Sequence, residues 1–542
     1  MTKIMSVFII MLSIMAMSSH ALAQSCLPEG VTFNTQQSVE DFLANYPNCS
    51  EIEGNVRVTG KVTNLEPLNK ILKIGGNLSF DYTEQLIDLR GLESLEVIGG
   101  NFLLLGNQKL ESLNGLDKLQ RINGDAMLTS NINLISIAGF KSLKRIGGYF
   151  WIKSNNKLSS LKGLEGIDSL KSDFVISDNK ELIELEGLNG LKHINGSLEI
   201  DKNPALTNLK GLDSLKSIYW NFRLITLNLA NLDGIQSLKT IGGFFESRFN
   251  FKIASLEGLD GLESIGGRVT IATNNSLLSF KSFANLKTIG GDLRIENNEL
   301  LQSIDGFRNI ESINGYLVIR ENPTLKEFDA FNRLKSLGGG LYFADNISLE
   351  NCTGLDSLRS IGSIFYLSNH KNLENFNAFQ SLKSVGGSIS LLNLDKIESL
   401  SGLDSIDYQS IDTLFIQSCP KLSECNIWSV CMHLATSELS FIQYNNIGCN
   451  SPTEIHNICK VTSVELIESD HIEVYPNPST GIIFISGIES AMMTISDALG
   501  KNIMKQSIFG ATEINLSNQA VGTYYLTLTT KNQVFTKIIV KE

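Results

Sequence analysis

The sequence predicts a mainly β solenoid with a cap at each end, followed by a small β-sandwich. Three observations predict it. From Gly76, equivalent positions recur at Gly100, Gly124, Gly148, Ser172, Gly196, Trp220, Gly243, Gly267, Gly291, Gly315, Gly339, Ser363 and Gly387; every step is 24 residues except one of 23, between Trp220 and Gly243. Within each step the apolar period is two just after the glycine and three thereafter, and no stretch carries the 3.6 period of a long helix. After Cys459 the repeat stops and short β-rich runs separated by glycine turns take over.

Composition agrees. At roughly 150 residues per domain, 542 residues would make three or four domains, but the repeat replaces that expectation with one stacked unit and one small domain. Hydrophobic residues at 42% and charged residues at 19% are ordinary globular usage and argue against wholesale disorder. The 45 glycines against 9 prolines reflect a turn repeated once per coil. A net charge of −12 argues against binding along a phosphate backbone, which needs a basic footprint.

In chain order, Lys3, the apolar residues 4–17 and Ala21-Leu22-Ala23 read as a secretory signal over residues 1–23, with cleavage after Ala23. The apolar run is shorter than the roughly 20 residues a spanning helix needs. Residues 24–53 read as an N-terminal cap, in which Val39, Phe42 and Leu43 lie at helical spacing before Pro47. Cys26 and Cys49 have no competitor nearby and pair in an oxidising compartment.

Residues 54–425 hold about sixteen coils, from a weak copy at Gly54 to a last one near Asp412. In the coil after Gly100, alternate residues up to Leu104 form a short strand, and Leu110, Leu113, Leu116, Leu119 and Ile122 line an angular return. A single coil cannot bury its own apolar edge, so coils must stack. The Asn seven residues after the glycine, from Asn107, Asn131 and Asn155 to Asn346, is expected to form an amide ladder between coils. Each glycine answers a need for positive φ or for close packing. Cys352 replaces an inward Leu and is expected as a buried thiol; Cys419 falls at the ladder position.

Residues 426–462 read as a Cys-rich C-terminal cap. Cys425, Cys431, Cys449 and Cys459 are disulfide candidates whose connectivity the sequence leaves open. Ser451-Pro452-Thr453-Glu454 reads as a capping box opening a short helix. No C-x2-C or Cys/His spacing suggests a metal site. Residues 463–471 read as a linker, and residues 472–542 as a sandwich with strands at 482–486, 492–496, 523–530 and 534–540.

Two resemblances follow. The core L-x-x-I-G-G-x-L-x-I-x-x-N-x-x-L resembles the leucine-rich-repeat superfamily, most closely the receptor L domain. That resemblance implies a right-handed extracellular solenoid that binds a partner. The segment Val474-Tyr475-Pro476-Asn477-Pro478-Ser479-Thr480-Gly481, then Asp497-Ala498-Leu499-Gly500-Lys501, Ile514-Asn515-Leu516-Ser517, Gly522-Thr523-Tyr524-Tyr525 and the terminal Lys537 to Glu542, resembles the C-terminal sorting domain of the Por, or type IX, secretion system of Bacteroidota. Tyr475, Pro476, Asn477, Pro478 and Gly481 form its motif. It implies the type IX machinery as a partner and passage across the outer membrane, followed by release or by attachment to the outer surface.

No catalytic constellation is found. The six histidines (His20, His193, His370, His433, His456 and His471) lack partners at fixed spacing, and neither G-x-S-x-G nor H-E-x-x-H occurs. No cofactor or metal is expected. The enzyme alternative, a carbohydrate-active solenoid, would use Asp173 with Glu199 and Asp201 one coil later, as acid/base groups or calcium ligands. The binding alternative has more residues behind it. Outward strand positions lie one, three and five residues after the glycine, and there stand Tyr149, Trp151, Arg223, Phe244, Arg248, Tyr316, Arg320, Tyr342 and Tyr366. Tyr, Trp and Arg on a rigid sheet make a recognition surface for protein or glycan. The coils over 220–250 are the least regular, with Leu227 in place of the Asn and Ser247 in place of an inward Ile. The expected function is a secreted or cell-surface binding or adhesion protein with an extracellular protein or glycan partner and no nucleic acid; a structural surface protein is the third reading.

Overall fold

A computed structural model describes residues 24–437, 439–462, 472–488, 490–529 and 534–542. The signal segment with its cleavage site, and the linker at 463–471, lie outside the described residues. The protein is mainly β, a solenoid of about 17 turns followed by an antiparallel β region. It divides into two compact units, Met1–His370 and Lys371–Glu542.

In the first unit the main strands run parallel and in register, each residue facing the one a coil later: Phe102↔Ala126, Ala126↔Phe150, Phe150↔Phe174. Alternate side chains turn inward, so Phe150 and Ile152 are fully buried while Trp151 between them is exposed. The period-three leucines Leu110, Leu113, Leu116 and Leu119 are all buried beneath the return. The expectation of one strand per coil is corrected. A second short strand precedes the glycine position in most coils, as at Arg121–Ile122 and, ahead of Trp220, at Ser217–Ile218, and Ser279–Phe280, Ser303–Ile304 and Glu327–Phe328 add a third set.

The solenoid also starts earlier than Gly54. Val31–Thr35 pairs in parallel with Val56–Lys61, because Gly30 already stands 24 residues before Gly54. The cap helix α1, Gln36–Asn45, is inserted into this first coil behind a capping box from Thr35, with Val39 and Phe42 buried. Cys26 is bonded to Cys49.

The ladder Asn residues are fully buried. Asn179 Oδ1 accepts from Asn155 N at 3.0 Å, and Asn179 Nδ2 donates to Ile152 O at 2.9 Å. Each Asn follows a residue with positive φ that is seldom glycine: Ser130, Ser154, Asp178 and Lys202 have φ of 61°, 56°, 54° and 50°. That residue turns the chain off the strand and points the next peptide inward, where only the amide can satisfy it. The glycines before the strands answer to packing rather than φ: a Cβ on Gly266 would lie 2.0 Å from Gly242 O. The positive φ belongs to another set, Gly115, Gly163 and Gly187 among them.

In the second unit, Ile389–Leu392, Leu414–Gln417 and Ser440–Gln443 are again parallel. Helices α2, Trp428–Thr436, and α3, Pro452–Thr462, follow the last coils. Disulfides join Cys425 to Cys449 and Cys431 to Cys459; Cys352 and Cys419 are free and buried. Ser451 Oγ accepts from Glu454 N at 3.1 Å, but the Glu454 carboxylate reaches further back, to Asn450 N and Gly448 N. The C-terminal region has a three-stranded sheet (Glu473–Tyr475, Ile482–Ser486, Thr512–Asn515) and a four-stranded one (Ser490–Asp497, Asn502–Phe509, Gly522–Thr529, Val534–Lys541), all antiparallel. Ile483, Ile485, Met493, Ile495, Leu526 and Ile539 share one core.

Candidate functional site

The main sheet's solvent face is read column by column. The residue three after the glycine runs in register from Trp151 through Val175, Glu199, Arg223, Glu246, Thr270, Arg294, Val318 and Tyr342 to Tyr366. Because the strands are parallel, side chains one coil apart are neighbours, and the predicted residues fall into three groups.

Tyr149 and Trp151 form the first, 44% and 36% exposed, with ring centroids 6.2 Å apart. The second surrounds the buried Glu246. Its carboxylate takes Arg223 Nε at 3.1 Å and Arg248 Nε at 2.8 Å, while Arg223 also holds Glu199 at 3.0 Å. The Arg268 guanidinium lies 4.9 Å over the Phe244 ring. Here the arginines are paired with the Glu199 and Glu246 carboxylates, so this group reads as a charge lattice across the irregular coils.

The third group makes a hollow. Arg294, Tyr316, Val318, Arg320 and Tyr342 line a cavity of about 240 Å³. Tyr366 stacks on Tyr342 at 4.4 Å with ring planes 3° apart. Burial, then the neighbouring Tyr366, pushes the Tyr342 phenol above its ordinary range, so it stays a neutral donor. Burial alone would lower Arg294, but the Asp292 carboxylate at 2.7 Å, helped by Glu296, outweighs it and holds the guanidinium charged. Arg320 reaches Glu296 at 3.4 Å. Trp151 lies eight strands from Tyr342 in the column, roughly 38 Å at about 4.8 Å per strand, so the first group does not join this hollow.

Arg294 and Val318 line the hollow and Arg268 packs on Phe244 in the second group, but none of the three is among the residues expected from the sequence. The column rule that selects Arg223 also selects Arg294, and the rule that selects Tyr316 also selects Arg268. The carboxylates of the enzyme alternative are engaged elsewhere. Asp173 Oδ1 accepts from Ser197 N at 2.7 Å, the same step that Asn55, Asn77 and Asn101 make earlier in that column. Glu199 pairs with Arg223, and Asp201 with Lys202 at 3.0 Å. Among the described residues no group of three or more His, Cys, Asp or Glu could hold a metal ion.

The C-terminal motif is tied to the chain's last strand. Asn477 Nδ2 donates to Ile538 O at 2.6 Å, and its Oδ1 accepts from Val540 N at 2.8 Å. Pro476 and Pro478 both follow cis peptide bonds. Gly481 has φ 132°, and a Cβ there would meet Ser517. Tyr475 is half exposed and packs on Phe484.

Parallel coils with an inward Asn ladder, followed by an antiparallel domain, define a leucine-rich-type solenoid carrying an appended tail. Residues 287–358 match the family model described as the receptor L domain, three coils that include the Tyr316–Tyr342 hollow. Residues 473–542 match that described as the secretion system C-terminal sorting domain. No curated protein matches the chain. The sorting tail indicates export by the type IX system and a secreted or outer-surface location. Among the described residues no helix is long and apolar enough to cross a membrane.

Proposed function

We propose that this is an adhesion or recognition protein that holds an extracellular protein or glycan on the main strand face. In this reading residues 1–23 direct the chain out of the cytoplasm, the stacked coils of the solenoid present the site, and residues 472–542 carry it across the outer membrane. One observation carries the site assignment: the hollow where two arginines meet Tyr316 and the stacked Tyr342–Tyr366 pair. Aromatic faces with fixed, charged donors suit a partner that offers a ring or apolar surface beside an acceptor. The receptor L-domain match over these coils supports a binding role.

The test is a glycan and protein array probed with the secreted chain, then with Tyr342→Ala and Arg320→Ala. Each substitution is expected to weaken the partner found by more than roughly tenfold, with an unchanged melting temperature, whereas Trp151→Ala leaves binding intact. Binding that survives both hollow substitutions places the partner elsewhere and removes this reading. The enzyme alternative draws no support from Asp173, Glu199 and Asp201, whose carboxylates are already hydrogen-bonded or paired.

A further inference from the structure

A second surface lies on the short strands that precede the glycines. Each of these strands opens with an outward residue, and from Ser217 through Thr240, Ser264, Thr288, Ser312 and Ser336 to Ser360 that residue is always a hydroxyl side chain, paired in register. The residue after it is a buried Ile or Leu, and the next is glycine in most coils. At Gly242, Gly266 and Gly290 a Cβ would lie about 2 Å from a carbonyl oxygen of the preceding coil, so this row has no side chains. The result is a trough of about 530 Å³, floored by those glycines, lined by Ser217, Tyr219, Thr240, Ser264 and Thr288, and reaching Asn195 at one end and Asn314 at the other. None of its residues belongs to the strand-face hollow.

The residue before each hydroxyl gives this surface its charge. Lys216, Lys239, Lys287, Lys335 and Arg359 occupy that column, with Glu263 and Glu311 interspersed, and Lys192, before His193, continues it one coil earlier. The column is stacked through the backbone: Lys216 N donates to Lys192 O at 2.8 Å, and Lys239 N to Lys216 O at 2.9 Å. Lys239 and Lys335 pair with Glu263 and Glu311, whereas Lys192, Lys216, Lys287 and Arg359 make no ion pair among the described residues. A basic ridge thus borders the trough in a chain whose net charge is −12. One coil in from Asn195, Tyr219 and its neighbour Trp220, 63% and 55% exposed, stand edge to face at 5.3 Å where most other coils have glycine.

We propose that this trough is a second binding site, for a linear acidic polysaccharide lying across successive coils. Hydroxyls and open backbone suit a hydroxyl-rich chain, the Tyr219 and Trp220 faces suit a sugar ring, and the free lysines suit a carboxylate or sulfate. Charge spacing favours a glycan over nucleic acid. Coils repeat at about 4.8 Å and four of the eight positions in the column, Lys192, Lys216, Lys287 and Arg359, hold a free cation, roughly one per 10 Å, which suits a sparsely charged chain, whereas duplex DNA carries one charge per roughly 1.7 Å.

The test measures binding of the secreted chain to polygalacturonate, to its methyl ester (the same backbone with the charge removed) and to poly(dT), at low and high salt. Polygalacturonate is expected to bind in a salt-sensitive manner and the methyl ester weakly. Replacing Lys192, Lys216 and Lys287 together by Gln is expected to cost roughly tenfold or more. Tyr219→Ala is expected to weaken binding without changing its salt dependence, and Tyr342→Ala, in the strand-face hollow, to leave it unchanged. Equal binding of the ester, equal binding of poly(dT) with no effect of Tyr219→Ala, or loss of binding in Tyr342→Ala would each overturn the proposal. Failure here leaves the strand-face site standing, because the two sites share no residue.

Discussion

Single residues hold the coils to one another. Asn179 satisfies Asn155 N through its oxygen and Ile152 O through its nitrogen, both away from water. Asn179→Ala strands these groups, and we expect a loss of about 2–3 kcal/mol, read as a lower urea midpoint and faster hydrogen exchange at the Asn155 amide. His370 stands where the ladder would have its next Asn, fully buried, its Nδ1 3.1 Å from Asn346 O. Burial depresses its basicity below the ordinary 6.5. Its folded pKa therefore lies below its unfolded one. Above pH 6.5 both states are neutral and nothing is lost; below it the unfolded chain takes up a proton that the folded chain does not, and stability falls by up to about 1.4 kcal/mol per pH unit. The stability of His370→Asn relative to the wild type should accordingly rise as the pH falls from 7 to 5, and a constant difference in urea midpoint would count against this account. Burial likewise pushes the Cys352 thiol up to about 12 and Cys419 up to about 11, which makes them core residues rather than nucleophiles.

At the scale of the element, the unit is the coil, and its period sets what can be joined. Cys425 and Cys449 are 24 residues apart with Cα atoms at 5.6 Å, one coil step; Cys26 and Cys49 are 23 apart at 5.8 Å. Stacked coils thus bring equivalent positions to disulfide distance without special geometry. Each bridge ties an end coil to its neighbour, where a solenoid would otherwise fray for want of a partner on one side. Replacing Cys425 and Cys449 by Ser is expected to destabilise the C-terminal coils by about 3 kcal/mol, seen as an early unfolding phase by hydrogen exchange while the coils around Asn155 keep their protection. The coil shortened by one residue between Trp220 and Gly243 keeps its strand register, Phe222 facing Phe245 and Ile225 facing Arg248, so the missing residue comes out of the return. There Leu227 N still finds Asn250 Oδ1 at 2.9 Å, although Leu227 has no amide of its own to pass on.

For the whole molecule, export and recognition are assigned to different parts of the chain. Removing residues 472–542 should leave the protein in the periplasm of a cell with a type IX system, and its appearance in the medium or on the surface would refute the sorting role. The net charge of −12 describes the sum and conceals the arrangement: the basic ridge beside the trough and the carboxylate-rich lattice at Glu246 and Glu296 lie on different strands of the same coils. A partner meets a local column of charge rather than the total, because at physiological salt fields fade within about 8 Å.

Much of this was legible in the sequence because a repeat writes its own structure. The 24-residue period, the alternation after the glycine and the buried Asn state which side chains face inward, since a coil has no other way to bury its leucines and its turn peptides. The sorting tail was equally legible, its motif running in order to the last residue. Other features needed the folded chain. Neither the second strand, the positive-φ residue before each Asn nor the choice between packing and φ at each glycine has a composition of its own; they are set by the backbone of the adjacent coil. The cap coil at Gly30 was hidden because α1 interrupts it. The same holds for the candidate sites. The outward columns can be counted from sequence, but which members meet in a hollow and which are consumed by ion pairs depends on side chains 24 residues apart becoming neighbours, and that distance is closed only by stacking.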